Sequence, residues 1–462
     1  MPMLGTFANT FKIPDLRKRI LFTIGLVFIC RLISMVPTPG VDWQTLQAEL
    51  ARIRETSGVG GGLMDWFNVF SGGALNQCAV GFLSIWPYIS ASIIVQLMTA
   101  VIPQLERLSR EGETGRMKIN QYTRYLTVAI CIFQSVGLST ALQHPSSMGL
   151  GNITIVTSPG IAFTITTAIC MTAASLLVMW LADQITQRGI GNGTSLIIMI
   201  NITSRLPSAI FNAWARYFGY GGVEATHNPV ELLLLLLFGF AITMGTVMLT
   251  QGVRKVPIHS TRRAAGGSGA YGRMQQTYMP LRVNYTGVMP IIFAGPLIQF
   301  PAIALSKIPG DNAVSTWFRW FGAKLGDMTS PLHLTVYGLL IMFFAFFWVA
   351  TQFNAMRISD NLKRDGSYLP GVRPGMATAE YLDALMTRVT LIGGTGLLVI
   401  ALVPQLLRGM MQLPWTMASF FGGTSLLIIV GVALDTLRQM ESFLLMRNYD
   451  GFLKYGTLRG RK

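Results

Sequence analysis

The sequence of 462 residues is too apolar and too poor in charge for a soluble protein. Hydrophobic residues make up 51% of it and charged residues 12%, which is about half of the usual charged share. Lys and Arg outnumber Asp and Glu by 36 to 20, and a net charge of +16 on so apolar a chain favours a membrane protein over a soluble nucleic-acid-binding protein.

Ten apolar runs are long enough, at about 20 residues, to cross a bilayer as helices. The predicted spans are 20–36, 78–102, 125–142, 160–181, 194–211, 231–249, 287–305, 332–353, 389–407 and 418–434. The first run ends without the small-residue site that a signal peptidase cleaves, so it is predicted to be a retained span. The sequence therefore predicts an all-α polytopic membrane protein with ten transmembrane helices.

The basic residues predict the orientation, because cytoplasmic loops keep an excess of Lys and Arg. With the N-terminus in the cytoplasm, the inside segments hold 27 of the 36 bases. These segments are 1–19, 103–124, 182–193, 250–286, 354–388 and 435–462. Both termini are therefore predicted to be cytoplasmic.

An even number of spans allows two inverted halves of five helices, as in many transport proteins. The predicted domains are an N-terminal segment 1–19, a first half 20–211, a second half 212–434 and a C-terminal tail 435–462. Pro87 and Pro290 lie in the second span of each half, and both predict a kink beside a central cavity. Plain helix kinks are the alternative.

Ile85, Ile89 and Ile292 are placed to line such a cavity. The first two share one helix face, and Ile292 follows Pro290 by two residues, as Ile89 follows Pro87. A ring of aliphatic side chains excludes water and ions by dewetting. Ordinary isoleucines that face lipid or the helix bundle are the alternative.

No acidic residue lies in the middle of a predicted span, and the four histidines lack partners at metal-ligand or triad spacing. A Walker A sequence is also absent, so we expect no cofactor, no metal and no catalytic site. An apolar cavity without such groups favours a passive channel, whose driving force must come from a partner. A secondary transporter of an apolar solute and a membrane enzyme are the alternatives, and both lack the intramembrane titratable groups that they need.

Three segments outside the spans carry further signals. Residues 63–77 are amphipathic, too short to cross and broken by Gly72 and Gly73, so they either re-enter the membrane or lie at the interface. The loop 250–286 has six bases and no acid, which favours docking on an anionic partner. In the loop 354–388, Pro-Gly pairs flank Arg373 and predict a stiff turn. Solvated inside loops are the alternative for both.

Short stretches along nearly the whole chain resemble the SecY family, the large subunits of bacterial protein-translocation channels. They are FNVFSGGAL at 67–75, PYISASII at 87–94, EGETGR at 111–116, QYTRY at 121–125, RGIGNG at 188–193, DNLK at 360–363, PGVRPG at 370–375 and FGGTSLL at 421–427. The resemblance implies a central hourglass pore in the bacterial inner membrane. Through it unfolded secretory proteins would cross, while signal sequences and membrane-protein helices would leave sideways into lipid.

The same resemblance implies roles for individual residues. The pore ring would consist of Ile85, Ile89, Thr194, Ile198, Ile292 and Ile428, where Thr194 departs from the usual isoleucine. The segment 63–77 would be the plug, with Phe67, Asn68, Phe70, Gly72 and Gly73. Ser90, Gln134 and Asn284 would be polar positions of a lateral gate.

The resemblance also implies partners. Arg262, Arg263 and Arg373 would dock the SecA ATPase or the ribosome. Small membrane subunits like SecE and SecG, polypeptides with signal sequences and membrane lipids complete the expected set. The segment 256–261 matches the family pattern less well than its surroundings.

Overall fold

The structure is a computed structural model that describes residues 13–49, 71–145, 154–218, 229–260, 277–306, 308, 312–411 and 424–455. The chain forms two compact units. Unit 1 comprises Met1–Phe211 with Val432–Lys462, and unit 2 comprises Asn212–Gly431. The predicted scheme of two inverted halves with its boundaries stays a prediction.

Unit 1 is built from helices in the part of the chain that is described. They are α1 (Pro14–Ile33), α2 (Trp86–Val101), α3 (Pro103–Arg110), α4 (Glu113–Gln143), α5 (Ile161–Arg188), α6 (Gly193–Thr203) and α7 (Leu206–Phe218), which continues into unit 2. Two short 3₁₀ turns, Ala74–Gln77 and Val80–Phe82, precede α2. The first half of α4 and the last turns of α5 are joined by an ion pair, with 2.6 Å between Arg124 Nη2 and Asp183 Oδ2.

Unit 2 contains helices and a small sheet. The helices are α8 (Pro229–Gln251), α9 (Met289–Ser306), α10 (Ala313–Gly326), α11 (Pro331–Gln352), α12 (Ala355–Arg364), α13 (Met376–Met411) and α14 (Thr424–Tyr455), which continues into unit 1. The strands are β1 (Val253–Ser260), β2 (Thr277–Arg282) and β3 (Ser367–Tyr368). The order is β2-β1-β3 and both pairings are antiparallel.

Eight helical stretches of the described chain are long and apolar enough to cross a membrane. They correspond to the second through ninth predicted spans, so the chain is an all-α polytopic membrane protein as predicted. The first predicted span coincides with α1, which carries several bases at its start and Arg31 in its last turn. The tenth overlaps the start of α14. Residues 412–423, where that span was predicted to begin, lie outside the described part.

The predicted proline kinks are wrong in position. Pro87 is the second residue of α2, and Pro290 is the second residue of α9. At a helix start proline loses no hydrogen bond, because the first amide groups have no partner within the helix. Each proline therefore begins a helix where a kink within a longer helix was expected.

The fifth predicted span also differs, because it is two helices. α6 ends at Thr203, and α7 begins at Leu206 with Pro207 in its first turn. The described chain adds α10, an amphipathic helix that was not predicted. It packs closely on α9 at Gly322, where an added Cβ would lie 2.7 Å from the backbone nitrogen of Ser306.

The two loops that were predicted to be cytoplasmic fold together in unit 2. Val256 and Leu281 of the β1-β2 hairpin pack in one hydrophobic core, which also contains Leu369 and apolar residues at the end of α11 and the start of α13. The hairpin and the segment 354–388 are thus one folded body. The sequence predicted a stiff turn at Arg373 in the second loop and a basic docking segment in the first.

Candidate functional site

A small cavity in unit 1 has an almost wholly apolar lining. Its lining residues are Ser71, Phe82, Leu83, Ser84, Ile85, Trp86, Ile89 and Ile198. Three of the six predicted ring positions, Ile85, Ile89 and Ile198, therefore lie around one space. All three side chains are buried.

The start of α2 explains how two of these residues come together. Ile85 is the N-cap residue, and the Ile89 amide donates to its carbonyl at 3.1 Å, so the two side chains stand one turn apart. Pro87 fixes the backbone of this first turn, because its ring restricts φ to a helical value. The isoleucines are thus held by a rigid helix end.

Ile198 belongs to α6, and a side-chain cap fixes the start of this helix. The Asn192 Oδ1 atom accepts hydrogen bonds from the Thr194 and Ser195 amides at 3.1 and 3.4 Å. The Thr194 hydroxyl also donates to this oxygen. Thr194 is half-buried and does not line the cavity, whereas Ile198 lies one turn further along the helix. The threonine at this ring position is therefore committed to the cap.

The two remaining ring positions belong to unit 2. Ile292 is 5% exposed in the first turn of α9, and Ile428 is 2% exposed in the first turns of α14. Their immediate neighbours Ile291 and Leu427 are part of the main hydrophobic core of unit 2. Both isoleucines are thus on well-packed helices.

The predicted plug is described only at its end. Phe67, Asn68 and Phe70 lie outside the described residues, while Gly72 and Gly73 have left-handed backbone conformations with φ of 70° and 94°. From Cys78 onward the segment is fixed to the chain that follows α1. The Thr38 hydroxyl donates to the Cys78 carbonyl at 2.5 Å, and the Val80 amide donates to the Val36 carbonyl at 2.9 Å.

Two of the three predicted gate residues have a buried polar atom that finds no hydrogen-bond partner among the described residues. They are Gln134, through its Oε1 atom on α4, and Asn284, through its Nδ2 atom just before α9. Ser90 is half-buried on α2, which packs on α4. A buried polar atom without a partner costs about 1–3 kcal/mol, so such atoms are available to a polar group that enters.

Among the predicted docking residues, Arg262 and Arg263 lie outside the described residues. Arg373 is exposed at the tip of a turn between Gly371 and Gly375, which both have positive φ. The turn is braced on both sides. The Thr378 hydroxyl donates to the Arg373 carbonyl at 2.8 Å, and the Ser359 hydroxyl donates to the Gly375 carbonyl at 2.7 Å.

Sequence reasoning did not single out a polar cluster beside the cavity. Arg31, Asn201 and Ser84 are linked by hydrogen bonds in unit 1. One signal was present in the sequence, because Arg31 is the only base in the interior of the first predicted span. Within the described ranges no group of acidic, His and Cys side chains could hold a metal ion.

Comparisons with known proteins agree with this architecture. The family model described as SecY matches residues 80–437. The protein translocase subunit SecY of Streptomyces scabiei is 42% identical over 459 residues, covering 98% of this chain and all of the relative. The subunit SecY of Escherichia coli K12 is 39% identical over 450 residues, covering 96% of each chain.

The fold is also similar to solved channel structures. The structure of a protein-conducting channel has a TM-score of 0.60 at 14% identity and covers 96% of this chain and 94% of that one. Sec61 from the canine ribosome-channel complex of the endoplasmic reticulum has a TM-score of 0.56 at 13% identity, with the same coverage. Together with the family match over residues 80–437, these findings mean that the chain belongs to the SecY family.

Proposed function

We propose how this SecY-family chain, the pore-forming subunit of a protein-translocation channel, seals its pore and receives its substrate. The observation that carries the proposal is the clustering of Ile85, Ile89 and Ile198 around one apolar cavity. Ile292, Ile428 and Thr194 would complete the ring.

Aliphatic side chains suit this task for a physical reason. They offer no hydrogen bond to an ion or to water, so a narrow apolar passage dewets and closes to ions. They also lack preference for any particular sequence, so the ring yields to varied polypeptides. A polypeptide in transit would then fill the opening between the ring side chains and keep the passage closed to ions.

The segment 63–77 would act as the plug. Its described end, from Ser71, lines the same cavity as the three isoleucines, which supports this role. Ser90, Gln134 and Asn284 would form the polar positions of a lateral gate. The buried polar atoms of Gln134 and Asn284 support this, since a signal sequence with polar backbone groups could satisfy them.

The folded cytoplasmic body of unit 2 would dock the driving partner, which we propose to be a SecA-like ATPase or a ribosome. The exposed position of Arg373 on a braced turn supports its contact role, and Arg262 and Arg263 would add positive charge. The chain would itself do no catalysis. Small subunits like SecE and SecG would accompany it in a bacterial inner membrane, with both termini in the cytoplasm.

Reconstitution tests the function directly. We expect the chain and its small subunits, in lipid vesicles, to import a precursor with a signal sequence when SecA and ATP are added. The matched control is the same precursor without its signal sequence, which should stay outside. Absence of import by a correctly inserted complex would overturn the proposal.

A further inference from the structure

The helix α10 presents a surface that the functions above do not use. It lies along the chain between α9 and α11, which are both long and apolar enough to cross a membrane. Its exposed side carries two large aromatic side chains, Trp317 and Trp320, which are 54% and 57% exposed. They are three residues apart and therefore share one helix face. Two neighbouring tryptophans that are open to this degree indicate a contact surface.

The packing of α10 places it at the ends of the two spans. A Cβ at Gly322 would lie 2.7 Å from the Ser306 nitrogen and 2.9 Å from the Ala302 carbonyl oxygen, so the helix contacts the last turn of α9. The Leu325 carbonyl oxygen lies 2.7 Å from Nδ1 of His333, in the first turn of α11. The middle and the end of α10 are thus fixed where one apolar span ends and the next begins.

The length of α9 relates this position to the bilayer. Its 18 residues rise about 27 Å at 1.5 Å per residue, close to a hydrocarbon thickness of about 30 Å. A span with no excess length ends near the headgroups, and α10 lies beside that end. The β1-β2 hairpin precedes α9 and the segment 354–388 follows α11, so α10 is at the opposite end of these two spans.

Aromatic packing holds one of the indoles in place. The Trp317 ring stacks on the Phe321 ring, with 5.4 Å between the ring centroids, and meets the Phe318 ring edge-on at 5.2 Å. Phe321 in turn packs against the main hydrophobic core of unit 2. Trp317 is therefore an ordered side chain on a rigid base, and little entropy is lost when its exposed surface is covered.

The chemistry of this helix face selects its partner. Tryptophan is enriched where hydrocarbon meets headgroups, because its ring is apolar while its N–H group donates a hydrogen bond. α10 has no acidic residue that lipid phosphates would repel. Lys324 lies in the last turn, where its long side chain reaches water beyond the headgroups. The depth of the helix, its indoles and the absence of negative charge all match a phospholipid surface.

We propose that α10 is a membrane anchor, in which Trp317 and Trp320 insert into the headgroup and ester region of the bilayer. The partner is the phospholipid itself, in the leaflet away from the hairpin. The indole N–H groups donate to its ester oxygens and the rings pack on its upper acyl carbons. Because α10 is packed on the last turn of α9, the anchor also fixes the depth of that span.

The test uses the complex with its small subunits in vesicles of phosphatidylcholine that carries bromine, a quencher of indole fluorescence, at a shallow or a deep acyl position. The emission lost in Trp317→Phe with Trp320→Phe reports the two indoles, and each single variant reports one indole if the double variant does not assemble. We expect the shallow bromine to quench this emission at least about twofold more than the deep bromine, because interfacial indoles lie at the headgroup level.

Two variants serve as controls. Trp348 is buried on α11 of the same unit, so the emission lost in Trp348→Phe should respond weakly to either bromine. Lys324→Glu keeps both indoles and should leave the shallow quenching unchanged, since the rings and not the charge make the contact.

Three results would overturn the anchor. Equal or stronger quenching by the deep bromine would place the face in the hydrocarbon. Quenching by neither bromine would mean that water or a protein subunit covers the face. Weaker shallow quenching in Lys324→Glu would mean that charge makes the contact. Import of a precursor by the same vesicles, measured alongside, tests the channel function separately.

Discussion

Burial alone does not distinguish a sealing side chain from a packing side chain. Ile85, Ile89 and Ile198 are buried like many other apolar residues of unit 1, but they share the lining of one cavity with the end of the proposed plug. A sealing isoleucine borders empty space, while a packing isoleucine borders other atoms. A polar residue at one of these three positions is therefore expected to draw water into the cavity.

A polar replacement at Ile428 tests the ring in unit 2. We expect Ile428→Asn to raise the resting ion conductance of the reconstituted complex several-fold, because an amide at a dewetted constriction binds water. Ile428→Leu keeps the volume and the apolar character, so it should conduct like the wild type. Conductance measured across a planar bilayer decides the matter. Equal conductance of the Asn and Leu variants would mean that this position is not at the constriction.

The ring positions were predicted from helix spacing and from the resemblance, whereas the polar cluster of Arg31, Asn201 and Ser84 was not predicted. Spacing on a helix gives Ile85 and Ile89 a common face, but it does not say what that face borders. Arg31, Gly72 and Asn201 are separated by many residues, and only the fold brings them together. Contacts of this kind depend on long-range packing, which local patterns do not encode.

Helix starts and helix ends set the positions of the sites. Pro87 and Pro290 are the second residues of α2 and α9, and Ile89 and Ile292 follow within the first turn. The hydropathy of the second predicted span continues upstream of α2, which is why the sequence predicted one long helix with a kink. The upstream residues are instead two short 3₁₀ turns, with Ser84 in a left-handed conformation. Apolar composition predicts burial, but it does not fix the backbone conformation.

Tight helix packing in unit 2 also depends on single glycines. A Cβ at Gly393 of α13 would lie 2.2 Å from the Val283 carbonyl oxygen, where the chain leaves β2. We expect Gly393→Ala to lower the thermal midpoint of the purified complex by several degrees, since overpacking costs about 1–3 kcal/mol. Gly245→Ala on α8 is the matched control. It meets no atom within 4 Å, so its midpoint should be unchanged or slightly higher. Equal midpoints for both variants would contradict the close packing at Gly393.

The membrane spans were the most predictable elements, since an apolar run of about 20 residues rarely forms anything other than a transmembrane helix. Amphipathic pieces were the least predictable. The helix α10 and the β1-β2 hairpin mix apolar and polar residues, and in a short segment that mixture also fits a surface loop. Their folded state depends on partners elsewhere in unit 2, namely α9 for the helix and the ends of α11 and α13 for the hairpin.

At the scale of the whole molecule, the apolar composition of the spans suits the exclusion of water, and the distribution of charge suits contact with a partner. The spans hold few charges, which suits a passage that closes by excluding water. Bases are concentrated in segments that were predicted to face the cytoplasm, and Arg373 is presented there on a braced turn. A partner that drives the channel, as we propose, would need such a contact.

Reversing one charge tests this contact. We expect Arg373→Glu to slow SecA-driven import of a precursor at least about fivefold, because a carboxylate repels an acidic partner surface. Arg373→Lys keeps the charge and should retain most of the rate. Lys324→Glu on α10 is a matched charge reversal outside the core that the hairpin shares with the segment 354–388, and it should import at the wild-type rate. Unchanged import by Arg373→Glu in a complex of normal thermal midpoint would exclude a docking role.

The braced turn at Arg373 has a mechanical consequence. It stands immediately before α13, which runs unbroken from Met376 to Met411, a length of about 54 Å at 1.5 Å per residue. The hairpin and the ends of α11 and α13 share one core, so a load on the turn cannot be absorbed by a slack loop. A push from a partner docked at Arg373, as we propose, would therefore act along the axis of a helix that is long and apolar enough to cross the membrane. The hairpin, the segment 354–388 and α13 would thus move as one rigid element under a load applied by a partner protein.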